Sequence, residues 1–136
     1  RNPRKALEYF TNGVRFGDLH AAKNLGIMFL FERHPVMDSE TGRRAAAEAL
    51  ALLEIETARA IESVGEGENA VPADPLACVL VGRAYELGRG RPSDVVRAVE
   101  CYARAGTEDP FAAKGLARIR LAGYVWPDGP DLRDVV

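Results

Sequence analysis

The chain repeats itself, and this feature constrains its fold more than any local motif. Residues 5–10 (KALEYF) are echoed by residues 97–102 (RAVECY), and residues 21–25 (AAKNL) by residues 112–116 (AAKGL), in the same order. A helical unit that cannot bury its apolar face alone must stack on a copy of itself. The repetition therefore predicts an all-α fold built as a solenoid of helical hairpins, an architecture that usually provides a recognition surface.

The composition fits a single domain over residues 1–136. The chain is 47% hydrophobic and 28% charged, and its 18 basic and 20 acidic residues give a formal charge of −2. The charges are spread along the chain, so no basic stripe typical of nucleic-acid binding is visible. No apolar run approaches the ~20 residues of a membrane span, and no signal peptide is recognisable in this stretch. We therefore expect neither nucleic-acid binding nor membrane insertion.

The two cysteines, Cys78 and Cys101, are too few for a disulfide framework. If each lies near the start of one of two antiparallel helices, they sit at opposite ends of the pair. Their Cα separation then exceeds the ~7 Å that a disulfide can span. We expect two reduced, packed thiols, which favours a reducing compartment such as the cytoplasm or an organelle matrix.

Three dipeptides place a capping side chain before a proline: Asn2-Pro3, Asp74-Pro75 and Asp109-Pro110. Each predicts a helix start, because the side chain caps the first turn and proline needs no hydrogen bond there. With the apolar periodicity, these signals predict about six helices and no strands. The predicted helices cover about 3–14, 18–33, 43–63, 75–87, 94–105 and 110–122. An exposed loop is predicted over 64–74, and a C-terminal tail or cap over 123–136, in which Trp126 folds back over the last repeat.

Residues 78–105 carry small, aromatic and turn residues at fixed spacing. The positions are Cys78, Val81, Gly82, Tyr85, Gly88, Gly90, Asp94, Arg97, Ala98, Tyr102 and Ala105. This pattern resembles the Sel1-like repeat, a relative of the tetratricopeptide repeat. In such a unit, Gly26 and Gly82 are expected to let two helix backbones approach closely, while Gly88 and Gly90 form the turn between helices.

Aligned on this unit, the first helices of three copies begin around Leu25, Val81 and Leu116. The second spacing is 35 residues, close to the family period, whereas the first is 56. We assign the extra residues to the long helix and the loop after it, within 43–74. The chain opens on a second-type helix and closes after a first-type helix, so we expect a window of a longer right-handed solenoid, or ends covered by another protein.

No motif in the sequence is typical of catalysis or of cofactor binding. His20 and His34 have no neighbours at metal-ligand spacing. The Gly-Arg-Gly at 88–90 follows a helix rather than a strand, which indicates a turn and not a phosphate-binding loop. Glu54 and its acidic neighbours on the long helix are typical of a solvated face with i, i+3 ion pairs. We expect no enzyme activity, no cofactor and no metal.

Five residues lie opposite the core stripe of the first-type helices and are the candidate partner-binding set: Ile27, Phe31, Arg83, Leu87 and Arg118. Apolar side chains on that side need burial, either against a neighbouring helix or against a partner. Arginine and aromatic residues are typical anchors of interfaces. We predict that the first-type helices line a concave groove in which an extended or helical segment of another protein docks.

The resemblance implies a non-catalytic scaffold or adaptor, as family members are in membrane-protein quality control, cell-wall regulation and bacterial signalling or virulence. A permanent structural subunit of a large assembly is the alternative. An RNA-reading helical repeat needs a basic groove, which the charge of −2 disfavours. Some Sel1-like proteins are linked to β-lactam binding or hydrolysis, but those carry a cysteine bridge within each repeat. Here Gly106 takes the place of the second bridging cysteine. The partner and the oligomeric state are not predicted.

Overall fold

A computed structural model describes residues 2–62, 74–106 and 108–123. Over these ranges the regular elements are all helical, and no strand is present among them, so the prediction of an all-α fold is confirmed. The α-helices are α1 (Pro3–Arg15), α2 (Leu19–Ile27), α3 (Glu40–Glu62), α4 (Pro75–Leu87), α5 (Val95–Ala105) and α6 (Pro110–Leu121). Residues 64–73 of the predicted loop lie outside the described residues, as do residues 124–136 of the predicted tail, with Trp126.

Most of the helices begin at the capping residues that the sequence indicated. Asn2, Asp18, Asp74 and Asp109 each accept hydrogen bonds from two backbone N–H groups of the first turn, which otherwise have no partner within the helix. At α5 the cap is Asp94, which accepts from the backbone N–H of the third helical residue. Local capping chemistry therefore determines where these helices start.

Each helix packs against the next one along the chain, and the core lies between them. Further contacts join α1 to α3, α2 to α4 and α4 to α6. In α3 the apolar residues at helical spacing, Ala46, Ala49, Leu50 and Leu53, are buried. The largest fully buried side chains are those of Leu25, Met28, Leu30, Met37, Leu50, Leu53, Leu80, Tyr102 and Leu116.

The connection from α2 to α3 is itself partly helical, although the sequence predicts helix only to about residue 33 and again from about residue 43. A π-helical turn, Met28–Glu32, extends α2, and a 3-10 turn, Pro35–Asp38, leads into α3. Between these two elements, Arg33 takes a left-handed conformation with φ of 53°, and this conformation ends the π-helical turn. The π turn places Phe31 close to its C-terminal end.

The helix glycines make room for side chains of a neighbouring helix, and at Gly82 an added Cβ would also lie 3.2 Å from the Cβ of Cys101. A Cβ on Gly26 would lie 3.0 Å from a methyl carbon of Leu80. A Cβ on Gly82 would lie 3.0 Å from ring carbons of Tyr102, and one on Gly115 would lie 2.5 Å from the opposite side of that ring. The Tyr102 ring is thus held between a glycine of α4 and a glycine of α6.

Both cysteines are free and buried. The expectation that they lie at opposite ends of the helix pair is wrong, because Cys101 packs against Gly82, one turn beyond Cys78. Burial raises the pKa of the Cys78 thiol to about 11 and that of Cys101 to about 12. Both are therefore protonated near neutral pH, which makes them poor nucleophiles.

None of the described helices combines the length and the apolar character needed to cross a bilayer.

Candidate functional site

Three of the five predicted residues, Phe31, Arg83 and Arg118, make side-chain contacts where the π turn after α2, α4 and α6 meet. We call this surface the α4 face and define it by Phe31, Arg83, Glu86, Leu87, Phe111, Lys114 and Arg118. On α4, Arg83, Glu86 and Leu87 are three and four residues apart and share one side of the helix. On α6, Phe111, Lys114 and Arg118 follow at i, i+3 and i+7 and also share one side.

Phe31 links α2 to α6 across α4. Its ring meets that of Phe111 edge to face, with centroids 5.5 Å apart and planes at 70°. The guanidinium carbon of Arg83 lies 5.0 Å from the centroid of the Phe31 ring, within cation–π range. The half-buried Phe31 therefore packs against its own chain, while Phe111 remains 52% exposed.

Arg83 is held by this ring contact and not by a conventional ion pair. Its Nε is buried without an acceptor, and its charge acts on Glu86 only at longer range, where it helps to lower the pKa of that carboxyl. A buried donor without a partner typically costs about 1–3 kcal/mol. Arg83 is thus a cation with unused hydrogen-bonding capacity on the α4 face.

Glu86 is the acceptor at the centre of a three-residue cluster. Arg118 donates to it from both Nε and Nη2, each at 2.9 Å, in the two-pronged geometry that arginine and carboxylate favour. The hydroxyl of Tyr102 donates to the same carboxylate at 2.6 Å. These bonds join α4, α5 and α6 through side chains. Arg118 is therefore engaged within the chain, although its side chain stays 44% exposed.

The charges of the cluster support one another. Burial acts to raise the pKa of the Glu86 carboxyl, but the hydrogen bonds from Arg118 and Tyr102 outweigh it and hold that pKa below its usual value. Burial and the bond to Glu86 raise the pKa of Tyr102 well above that of an ordinary tyrosine. At neutral pH the cluster therefore consists of a carboxylate, a guanidinium and a neutral phenol.

Two of the five predicted residues have simpler surroundings. Ile27 is half-buried and packs against the core, so it contributes to helix packing. Leu87, at the end of α4, is 41% exposed.

Sequence reasoning missed Phe111, although a large apolar residue directly after the proline of a helix start is a recognisable signal. Leu87 and Phe111 are the large apolar side chains that the α4 face leaves exposed.

Glu54 departs from the predicted solvated face of α3. Its carboxylate accepts hydrogen bonds from the Tyr85 hydroxyl, at 3.0 Å, and from Nε of Arg91. Arg97 in turn donates to the Tyr85 oxygen at 3.2 Å. The bonds tie the long helix to α4 and to the turn after it, beside a cavity of about 290 Å³ that Cys101 also lines. Glu54 therefore helps to hold α3 against α4 through hydrogen bonds within the chain.

Comparisons with models of known protein families, with curated proteins and with solved structures give no match to this chain. Among the described residues, no group of three or more histidine, cysteine or acidic side chains is placed to hold a metal ion.

Proposed function

We propose that this protein is a non-catalytic protein–protein interaction scaffold, an α/α solenoid of Sel1-like repeats that binds a segment of a partner on the α4 face. The observation that carries this proposal is the exposure of Leu87 and Phe111 on the same surface as Arg83 and Arg118. Aromatic and arginine side chains beside exposed apolar ones are typical of interface anchors.

The packing order of the helices supports the solenoid part of the proposal. In a stack of helical hairpins, each helix contacts its neighbour in the chain and the equivalent helix of the next repeat. The pairs α2–α4 and α4–α6 fit the second kind of contact, since they join successive first-type helices. Gly88 and Gly90, with φ of 64° and 78°, fit the turn that the repeat requires between its two helices.

A structural subunit of a larger assembly is the second candidate, and exposed apolar residues at both ends of the described array favour it. Tyr9 of α1 is 75% exposed, and Phe16, directly after α1, is 90% exposed. At the other end, Leu121 of α6 is 87% exposed. Exposed large apolar side chains of this kind are typical of surfaces that another chain covers. In that case the ends, rather than the α4 face, would make the principal contacts.

Site-specific photo-crosslinking separates the two candidates. The crosslinking amino acid p-benzoylphenylalanine is introduced at Leu87, and in matched proteins at Phe16 and at the exposed Ile55 of α3. The scaffold proposal expects one discrete crosslinked partner from native extract at Leu87, and none at Ile55. Crosslinking at Phe16 alone would favour the assembly subunit.

A loss-of-binding test completes the experiment without disturbing the core. Leu87→Ala and Phe111→Ala together remove the exposed apolar side chains of the α4 face, and Val96→Ala, at a residue of α5 that is 52% exposed, is the control. We expect the double variant to lose partner capture while the control retains it. Equal capture by both proteins would contradict docking on this face.

A further inference from the structure

The α4 face has the opposite charge to the rest of the molecule. It carries three cationic side chains, Arg83, Lys114 and Arg118, and one carboxylate, Glu86, whereas the whole chain has a formal charge of −2. The face thus has a local charge of +2. Charge concentrated on one surface steers a partner of opposite charge and selects against a like-charged one.

The cations of this face differ in how fully they are satisfied. Glu86 already accepts both prongs of Arg118 and the Tyr102 hydroxyl, so little of its hydrogen-bonding capacity remains. The Nε of Arg83 is buried without an acceptor. Lys114 is exposed and forms no ion pair with a described residue. Arg83 therefore has only the longer-range attraction of Glu86, and Lys114 has no ion-pair partner among the described residues, so a carboxylate supplied from outside would give each a direct partner.

We infer that the partner segment is an acidic peptide in which carboxylates alternate with apolar residues, and that its carboxylates contact Arg83 and Lys114 while its apolar side chains cover Leu87 and Phe111. The inference rests on the proposed function, because it specifies the partner of the same face. A protein segment fits better than a nucleic acid, since the exposed apolar side chains have no counterpart in a phosphate backbone.

A peptide selection tests this composition directly. The intact chain is used to select binders from a phage library of random 16-residue peptides. The enriched peptides are then synthesised in two forms, as selected and with every Asp and Glu changed to the amide. We expect enrichment of Asp and Glu among Leu, Ile or Phe, and binding of the acidic form about tenfold or more tighter than that of the amide form.

Charge-reversal variants test whether the acidic residues of the selected peptides contact the α4 face. Lys114→Glu is compared with Lys5→Glu, which makes the same charge change at an exposed position of α1. We expect Lys114→Glu to weaken binding of the acidic peptide by roughly three- to tenfold, as a surface charge reversal does, with Lys5→Glu within about twofold of the parent. Arg83→Met, which keeps an apolar stem over Phe31, should weaken binding of the acidic form and leave that of the amide form unchanged.

Several results would overturn the inference. These are selection of neutral or basic peptides, failure to select any binder, equal affinity for the acidic and amide forms, and equal losses in Lys114→Glu and Lys5→Glu. Tighter binding of a 16-nucleotide RNA than of the acidic peptide, lost in Lys114→Glu, would overturn it in favour of a nucleic acid. The crosslink at Leu87 is scored separately, so a face that binds a partner of different chemistry is distinguished from a face that binds nothing.

Discussion

Because Gly115 contacts Tyr102, we expect Gly115→Ala to lower the free energy of unfolding, although glycine-to-alanine substitution within a helix usually raises it. In Gly115→Ala the new Cβ would lie 2.5 Å from two ring carbons of Tyr102 and 2.9 Å from a third. The ring cannot move away easily, because Tyr102 is fully buried and its hydroxyl is bonded to Glu86 at 2.6 Å. On its other side a Cβ on Gly82 would lie only 3.0 Å from ring carbons, so little space remains there.

Two effects of known size compete in this variant. Replacing glycine by alanine inside a helix is worth about 1 kcal/mol in favour of folding, through helix propensity alone. Adding a methyl group to a packed core costs typically about 1–3 kcal/mol. Because the ring is confined on both sides, we expect the upper part of that range and a net loss of about 1–2 kcal/mol in the free energy of unfolding.

Urea unfolding followed by circular dichroism at the helical band measures this free energy. The matched control repeats Gly115→Ala in a Tyr102→Leu background, where the ring is gone and only helix propensity remains. There the substitution should stabilise the protein by up to about 1 kcal/mol, giving a change of sign between the two backgrounds. Stabilisation by Gly115→Ala in the parent protein would refute the packing of Tyr102 between α4 and α6.

The hydrogen-bonded cluster and the thiols give two further predictions. The pKa of Glu86 is lower in the folded than in the unfolded chain, so its contribution to stability is fully present above the unfolded value and is lost as pH falls through the folded value. Glu86→Gln should therefore lower the free energy of unfolding by about 2 kcal/mol at pH 7, with a deficit that shrinks towards acid pH in urea titrations. A constant deficit at all pH values would contradict a charged Glu86. For the thiols, burial raises the pKa of Cys78 to about 11 and of Cys101 to about 12, so the folded protein should react slowly with Ellman's reagent at mildly alkaline pH and release both thiols on unfolding in guanidinium chloride. Fast reaction before unfolding would contradict the buried positions.

The sequence predicted the helices well because their signals are local. A capping Asp before a proline acts within a single turn, so Asp74 and Asp109 could be recognised without any knowledge of tertiary contacts. Apolar periodicity likewise predicted the long helix α3. The start of α3, predicted at about residue 43 and found at Glu40, differs by less than one turn.

The contacts across helices were predicted less well, because they depend on how helices cross. Glu54 reads as solvent-facing on α3, yet the turn after α4 brings Arg91 to it. Phe111 is absent from the predicted partner-binding set, yet a π turn at the end of α2 brings the Phe31 ring against it. A π turn adds a residue to the helical turn and rotates the next side chains about the helix axis, which a regular period of 3.6 does not anticipate.

The same contacts bear on how the α4 face would bind a partner. Phe31 and Phe111 join the π turn after α2 to α6, and Arg118 joins α6 to Glu86 of α4. The three helices are therefore held together by side chains of the face itself before any partner arrives. Binding to a surface that is already ordered avoids much of the entropy cost of arranging it. Alanine at Phe31, Phe111 or Arg118 would consequently disturb the order of the face along with its contacts. The exposed Leu87 and Lys114 are therefore the positions at which a loss of binding reports on recognition alone.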